Sequence, residues 1–202
     1  MLDNAGMNLE KWRHYARARL LELLRNSEGA MAAYREALAA DPGFRRAANA
    51  LAYRCALAGR NADAIESFER VLRLGARDVA AHFNLAFVYA RSGQQRKAIE
   101  HFRSTVELNS KLDRAWYGLG LAYASLGEHR NAMEAFEHAA LLQPMGAPIW
   151  YQYGMACHHA CDPEKVRIAI EHVNRFDPLT ARRLIVEAER ADLAYLVKDL
   201  VV

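Results

Sequence analysis

The strongest constraint on the fold is the spacing of aromatic and small residues in the stretch 113–146. This stretch reads DRAWYGLGLAYASLGEHRNAMEAFEHAALLQPMG, and its residues fall at the offsets W-x2-L-G-x2-Y, A-x3-F and P. Two antiparallel helices can approach closely where small residues such as Gly120 and Ala132 lie, and large side chains such as Trp116 and Phe136 fill the space around that contact. The stretch therefore predicts a pair of closely packed helices.

The same spacing recurs in register at intervals of 34 residues. Gly59 and Gly93 mark the turns between the helices of two further windows, and in the last window Asp162 and Pro163 stand where the other windows have a turn glycine. We expect Asp162 to cap the following helix and Pro163 to open it. We assign five repeats: 11–44, whose first helix is degenerate because Arg17 replaces the usual leucine, and 45–78, 79–112, 113–146 and 147–180.

This pattern resembles the tetratricopeptide repeat, whose signature has the same offsets. The resemblance implies an all-α fold, a right-handed α-solenoid (superhelix) of stacked antiparallel helix pairs, here forming one domain over 1–202. Residues 1–10 are expected to be an N-terminal tail. Residues 181–202 have apolar residues at helical spacing among charged ones, which predicts a C-terminal capping helix that covers the last pair.

Composition and hydropathy indicate a folded chain and the cellular location to expect. The 202 residues are 52% hydrophobic, with only five prolines and eleven glycines, so the chain can bury a sizeable core. The N-terminal residues have no apolar run of signal-peptide length, and nothing downstream approaches about 18 consecutive apolar residues. We therefore expect a soluble cytoplasmic protein without a transmembrane segment. Its three cysteines lack the spacing of a disulfide framework and are expected to be reduced thiols.

The resemblance also implies where a partner would bind. In tetratricopeptide proteins the first helix of each pair lines a concave groove. Aromatic residues and arginines at these positions suit a partner peptide or helix with apolar or aromatic and acidic residues. The chain is thus predicted to be a non-enzymatic protein-protein interaction adaptor or scaffold. The predicted groove residues are Tyr15, Arg19, Arg46, Asn49, Tyr53, Phe83, Asn84, Phe87, Arg91, Arg114, Tyr117, Leu121, Tyr151, Met155 and His158.

Two alternatives remain open for the groove. Any one of its aromatic residues could pack on its neighbours instead of contacting a ligand. The protein could also be a self-associating structural protein, a homo-oligomer in which a terminus of one copy fills the groove of another. A further family hypothesis finds little support, because only Asn84 and the charge of Arg114 correspond to the carboxylate clamp by which related modules bind acidic chaperone termini.

The first helix is locally basic. Between Glu10 and Arg25 it has a surplus of three positive charges, equal to the formal net charge of +3 of the whole chain. This charge suits an anionic partner, but a solvated capping helix would show the same composition. A net charge of +3 over 202 residues is too small to indicate nucleic acid as the main ligand.

Metal binding and catalysis have weak sequence support. Cys157, His158, His159 and Cys161 form the motif C-H-H-x2-C, in which the two cysteines could share one helix face. Two soft ligands do not complete a tetrahedral site, and Cys157 occupies the packing position that holds Tyr123 in the previous repeat. The chain has no Gly-rich phosphate loop, H-E-x2-H or G-x-S-x-G motif. We therefore predict no metal, no cofactor and no enzymatic activity.

Overall fold

The chain folds into consecutive α-helices joined by short turns. The computed structural model describes residues 3–75 and 77–198, and within these residues the regular structure is helical, with no β-strand. The predicted all-α fold is confirmed. The helices are α1 (Asp3–Leu23), α2 (Ser27–Ala40), α3 (Arg45–Leu57), α4 (Asn61–Leu74), α5 (Val79–Arg91), α6 (Gln95–Leu108), α7 (Asp113–Ser125), α8 (His129–Leu142), α9 (Ala147–His159), α10 (Pro163–Asn174) and α11 (Pro178–Glu187), followed by a 3₁₀ helix (Ala191–Val197).

Helix starts recur at the period read from the sequence. The first helices of four pairs begin at the first residues of the predicted windows: Arg45, Val79, Asp113 and Ala147. The second helices begin at equally spaced residues: Ser27, Asn61, Gln95, His129 and Pro163. A constant period lets each pair present the same faces to the next pair, so the same packing solution is reused along the chain.

The turn inside each pair ends its first helix in the same way. The second residue after the end of the helix adopts a left-handed φ between +57° and +76° at five positions spaced by 34 residues: Arg25, Gly59, Gly93, Gly127 and Cys161. The next N–H then bonds a carbonyl five residues back, as from Asp162 to Cys157 at 2.9 Å, which satisfies the carbonyls at the helix end. Cys161, and not the pair Asp162 and Pro163, therefore takes the place of the turn glycine. Asp162 does cap α10, because its side chain accepts from the N–H of Lys165.

The chain divides into two compact units, Met1–Gln94 and Gln95–Val202. In the first unit, consecutive helices from α1 to α5 pack on one another, around fully buried Tyr34, Phe68 and Leu85. In the second unit, α6 to α11 do the same around Phe136 and Ile170. Each unit therefore has its own apolar core.

Small residues set the distance between paired helices, as the sequence predicts. A Cβ added to Gly120 on α7 would lie 2.6 Å from two ring carbons of Phe136 on α8. Ala132, on the same helix as Phe136, is fully buried. Because the Phe136 ring is itself only 1% exposed, it has little room to move away. The predicted packing roles of these three residues are confirmed.

Both ends differ from the sequence prediction. Residues 3–10 were expected to be a tail but form the first turns of α1, because no proline there stops the helix from extending toward the N-terminus. At the other end, the expected single helix over 181–202 is divided: α11 ends at Glu187 and the 3₁₀ helix follows, while 199–202 lie outside the described residues. Glu189 adopts a left-handed φ of +54°, and the N–H of Arg190 bonds the carbonyl of Ile185, which closes α11.

Candidate functional site

The ninth position of each predicted repeat lies on its first helix, and the exposed fraction of the side chain there differs from repeat to repeat. In the first unit, Tyr53 on α3 is 52% exposed and Phe87 on α5 is 55% exposed. The equivalent Leu121 on α7, in the second unit, is 41% exposed. Arg19 is exposed and Met155 is partly exposed. All five belong to the predicted groove set, and the three apolar residues on α3, α5 and α7 are available for contact with another molecule.

Arg91 ties α5 to the end of α3, beside these aromatic rings. Its guanidinium donates to the carbonyl of Ala56 at 2.8 Å and to the side chain of Asn61. It also lies 6.0 Å from the ring centroid of Phe87. Arg91 is thus held in one place, where its charge and the apolar face of Phe87 form one continuous surface.

Several of the other predicted residues of the first unit are only partly exposed. Phe83 and Asn84 on α5 and Asn49 on α3 are partly exposed. Arg46 is exposed, with its guanidinium 5.5 Å from the ring of Trp12. Phe83, Asn84 and Asn49 therefore have smaller exposed fractions than Tyr53 and Phe87.

Tyr15 lies in an aromatic cluster at the start of the chain. Its ring centroid is 5.8 Å from that of Trp12, 5.3 Å from that of Phe44 and 5.6 Å from that of Tyr34. Burial raises the pKa of Tyr34 to about 12, so this phenol stays protonated. Tyr15 is partly exposed, and most of its contacts are with its own unit. For this residue the packing alternative accounts for the contacts seen.

In the second unit, the end helix covers part of the predicted surface. The guanidinium of Arg183 on α11 lies 4.3 Å from the ring centroid of Tyr151 on α9, and the Tyr151 hydroxyl donates to Glu187. Partial burial, together with the neighbouring Glu187 carboxylate, raises the pKa of Tyr151. Tyr151 is therefore engaged by the chain itself.

The rest of the second unit's predicted set remains accessible to different degrees. Arg114 is exposed at the start of α7, while Tyr117, Met155 and His158 are partly exposed. The ring of Tyr117 lies 5.7 Å from that of Phe136, so one side of it packs on the core. Leu121 is the most exposed apolar member of this set.

The structure also shows two clefts that the sequence analysis did not anticipate. One, of about 350 Å³, is lined by α2, α3 and α4, and the other, of about 370 Å³, by α6, α7 and α8. Their lining residues are equivalent, with a spacing of two repeats, from Arg35 and Leu38 in the first to Arg103 and Val106 in the second. The repeat signature could have located them, because they lie where its fixed packing positions leave space beside the second helices.

The C-H-H-x2-C motif contributes to packing and to a turn. Cys157 is fully buried, and burial raises the pKa of its thiol to about 12. Cys161 is exposed at the left-handed turn position. Within residues 3–75 and 77–198, no three histidine, cysteine, aspartate or glutamate side chains are placed to share a metal ion. Cys157 thus has the packing role expected of it.

Tandem helix pairs that leave apolar side chains exposed on their first helices define an α-helical repeat protein, a class of interaction scaffold. Two models of the family described as tetratricopeptide repeat match the sequence, one over residues 56–113 and one over 13–44 and 113–144. The matches together span more than half of the chain, which belongs to the tetratricopeptide repeat family. This fold is generally a non-catalytic scaffold for protein interactions.

Solved structures share this fold over most of the chain. A crystal structure of MamA is 23% identical, with a TM-score of 0.76 over 91% of this chain and 96% of that chain. A MamA structure from Desulfovibrio magneticus RS-1 is 20% identical, with a TM-score of 0.73 over 90% of this chain and 96% of that one. YrrB, described as "a TPR protein with an unusual peptide-binding site", is 22% identical, with a TM-score of 0.75 over 88% and 90%. These likenesses confirm the predicted tetratricopeptide solenoid fold class.

No curated protein sequence matches this chain significantly. Among the described helices, none is both long enough and apolar enough to cross a membrane.

Proposed function

We propose that this chain is a non-enzymatic adaptor that binds a peptide or a short helix of a partner protein on the faces of its first helices. The observation that carries the proposal is the exposure of Tyr53 and Phe87. Each ring is more than half exposed, and the two occupy equivalent positions on α3 and α5, which are in contact. Neither ring is needed to fill the core, which is built from other residues of the same helices.

Burial of these two rings would supply much of the binding free energy. Exposed aromatic side chains are the commonest energetic anchors of protein interfaces, each worth about 2 kcal/mol or more when centrally buried. Arg91 is already fixed against Phe87, so little side-chain freedom would be lost when a partner covers it. Tyr53, Phe87 and Arg91 therefore form the centre of the proposed site in the first unit.

The charge around this centre favours an acidic partner. Arg46 and Arg91 are exposed on α3 and α5, and Arg19 is exposed on α1, where it pairs with Glu22 at 2.7 Å. Arginine pairs well with carboxylates and also contacts aromatic rings. We therefore propose a ligand with apolar or aromatic residues next to aspartate or glutamate, and not nucleic acid. In the second unit, Arg114 and Leu121 would contribute the same chemistry. A cytoplasmic location stays a prediction.

The likeness to YrrB supports the mode of action only in outline. YrrB is described as having an unusual peptide-binding site, and it shares this fold at 22% identity. The likeness shows that the fold can carry a peptide site, and it assigns no residue of this chain to one. The residue assignments proposed above rest on exposure and position in this chain.

A selection from a displayed random-peptide library tests the proposal. We expect the wild-type protein to enrich peptides with aromatic and acidic residues, and the variant Tyr53→Ala/Phe87→Ala to lose them. Leu74→Ala on α4 is the matched control, because Leu74 is also exposed (42%) but lies on a second helix. Recovery of the same peptides by the double variant, with its helical circular dichroism unchanged, would overturn the proposal.

Self-association is a second candidate, and α1 supplies the observation in its favour. Leu9, Leu20 and Leu23 are 75%, 57% and 81% exposed, and their spacing places them on one face of the helix. A second copy could cover such an apolar stripe. Light scattering would then show oligomers that grow with concentration and disappear in Leu20→Glu/Leu23→Glu. A monomer at all concentrations excludes this candidate and leaves the adaptor proposal intact.

A further inference from the structure

The cleft between α6, α7 and α8 has features of a binding site that is separate from the first-helix faces. Its volume is about 370 Å³, and its floor includes Trp116, Leu119 and Tyr123 of α7. Glu107 of α6 and Glu134 of α8 also line it, and both are exposed. The cleft thus combines an apolar floor with two carboxylates.

The aromatic groups of this cleft are held in place. The Trp116 indole N–H donates to the carbonyl of Ser110 at 2.9 Å, and its ring stacks on His138 with 4.3 Å between centroids. The Tyr123 hydroxyl accepts from the Nε of Arg103 at 2.7 Å, and the guanidinium lies 5.6 Å from the same ring. A ligand would meet a floor that is already ordered, which favours binding.

The residues that line the cleft include one more negative than positive side chain. Among the residues that the structure describes, neither Glu107 nor Glu134 forms an ion pair. Of the described residues that line the cleft, one is an arginine: Arg103, which lies four residues before Glu107 on α6 and whose Nε is bonded to Tyr123. The cleft therefore has two carboxylates against one cation.

The equivalent cleft in the first unit shows that this surplus is not a general property of the repeat. There, Ala39 takes the place of Glu107 and Arg70 that of His138, while Asp63 pairs with Arg35 at 3.1 Å. Glu66, at the place of Glu134, lies four residues before Arg70 on the same helix, where opposite charges are neighbours. The first cleft therefore has two carboxylates against two arginines, and the surplus of one carboxylate belongs to the second cleft.

We propose that the cleft of α6, α7 and α8 binds an arginine or lysine side chain of a partner protein segment. The aliphatic part of such a side chain fits an apolar floor, and its charged end would pair with Glu107 and Glu134. An acidic ligand would meet like charge there, and a purely apolar one would leave the carboxylates without partners. This second surface would let the chain hold one partner on the exposed faces of its first helices and a basic segment in the cleft of α6, α7 and α8.

Paired peptides that differ in one charge test this inference. The probes are acetylated, amidated heptapeptides with a central arginine between leucines, and the same peptides with citrulline, the neutral isostere. The readout is the Trp116 indole N–H signal in ¹H–¹⁵N spectra, assigned with Trp116→Phe. We expect saturable shifts with the arginine peptide at up to about 5 mM and at least tenfold weaker binding with citrulline.

Protein variants provide the second arm of the test. Glu107→Gln/Glu134→Gln should weaken binding of the arginine peptide at least about tenfold. Glu66→Gln, at the equivalent place in the first unit, and Tyr53→Ala/Phe87→Ala should leave it unchanged. Equal binding of the arginine and citrulline peptides, no shift at about 5 mM, or full binding by the double glutamine variant would each overturn the inference. The peptide pair needs no altered protein, so a folding defect in a variant cannot obscure the answer.

Discussion

The imidazole ring of His172 stacks on the indole ring of Trp150, with 3.9 Å between their centroids. The same arrangement occurs one repeat earlier, where His138 stacks on Trp116. In both repeats the indole N–H donates to a backbone carbonyl six residues before it. His172 also bonds the carbonyl of Pro144 that receives the Trp150 N–H. The signature tryptophan therefore joins the two helices of its pair to the turn that precedes them.

Replacing Trp150 should destabilise the second unit strongly. Trp150 is only 8% exposed, so Trp150→Ala removes a buried ring, its stacking partner and a hydrogen bond. We expect a loss of about 3–5 kcal/mol in the free energy of unfolding, measured by chemical denaturation. Trp116→Ala should lose less, because Trp116 is more exposed. A loss below about 1 kcal/mol for Trp150→Ala would contradict the role assigned to the ring.

Glycine at position 161 should stabilise the protein. Cys161 has a left-handed φ of +59° at the position where three other turns have glycine. The side chain strains this conformation by about 1–2 kcal/mol, and part of the gain is offset by the greater freedom of glycine in the unfolded chain. Cys161→Gly should therefore raise the free energy of unfolding by about 1 kcal/mol. Gly127→Ala is the reciprocal control and should lower it by a similar amount, whereas destabilisation by Cys161→Gly would show that the thiol has a structural partner.

A methyl group at position 120 should disrupt the packing of α7 on α8. The new Cβ would lie 2.6 Å from the Phe136 ring, so Gly120→Ala is expected to cost about 1–3 kcal/mol. Phe136→Leu removes the clashing ring atoms, and the double variant should recover part of the loss relative to Phe136→Leu alone. Thermal or denaturant unfolding of all four proteins gives the coupling free energy directly. Additive effects of the two substitutions would mean that the clash is relieved elsewhere.

The stability of the second unit should fall in mildly acidic solution through three neighbouring histidines. Partial burial, and then the neighbouring imidazoles of His129 and His158, lower the pKa of His159 below its ordinary value of 6.5. The folded state thus binds fewer protons than the unfolded state, so this contribution is present above about pH 6.5 and is lost as the pH falls below it. His159→Asn should reduce the difference in denaturation midpoint between about pH 7.5 and pH 5.5. An unchanged difference would rule out this source of pH dependence.

The repeat signature predicted the fold because every helix pair packs through residues of the same size at the same positions. The spacing of Trp116, Gly120 and Phe136 and its recurrences gave the starts of α3, α5, α7 and α9 without adjustment. The period also contained the true place of the last turn, since Cys161 lies 34 residues after Gly127. Pro163 is a stronger local signal than a cysteine, so local sequence reasoning places the turn one or two residues too late.

The candidate site was less predictable than the fold. The repeat signature indicates on which face of a helix a residue lies, but it does not indicate whether another segment of the chain covers that face. Tyr53 and Phe87 are both more than half exposed. Tyr151, at the fifth position of its repeat, is covered by Arg183 and Glu187 of an end helix that follows no repeat signature. The signature could have located the clefts beside the second helices, but the charges that distinguish one cleft from the other lie at surface positions that the signature leaves free.

The central claim is that Tyr53 and Phe87 anchor a bound peptide, and a binding constant measures it most directly. Titration calorimetry would compare one selected peptide against the wild-type protein, Tyr53→Ala/Phe87→Ala and Leu74→Ala. The account predicts that the double variant binds at least about tenfold more weakly, equivalent to about 1.4 kcal/mol, while Leu74→Ala binds like the wild type. The same dissociation constant for all three proteins would contradict it.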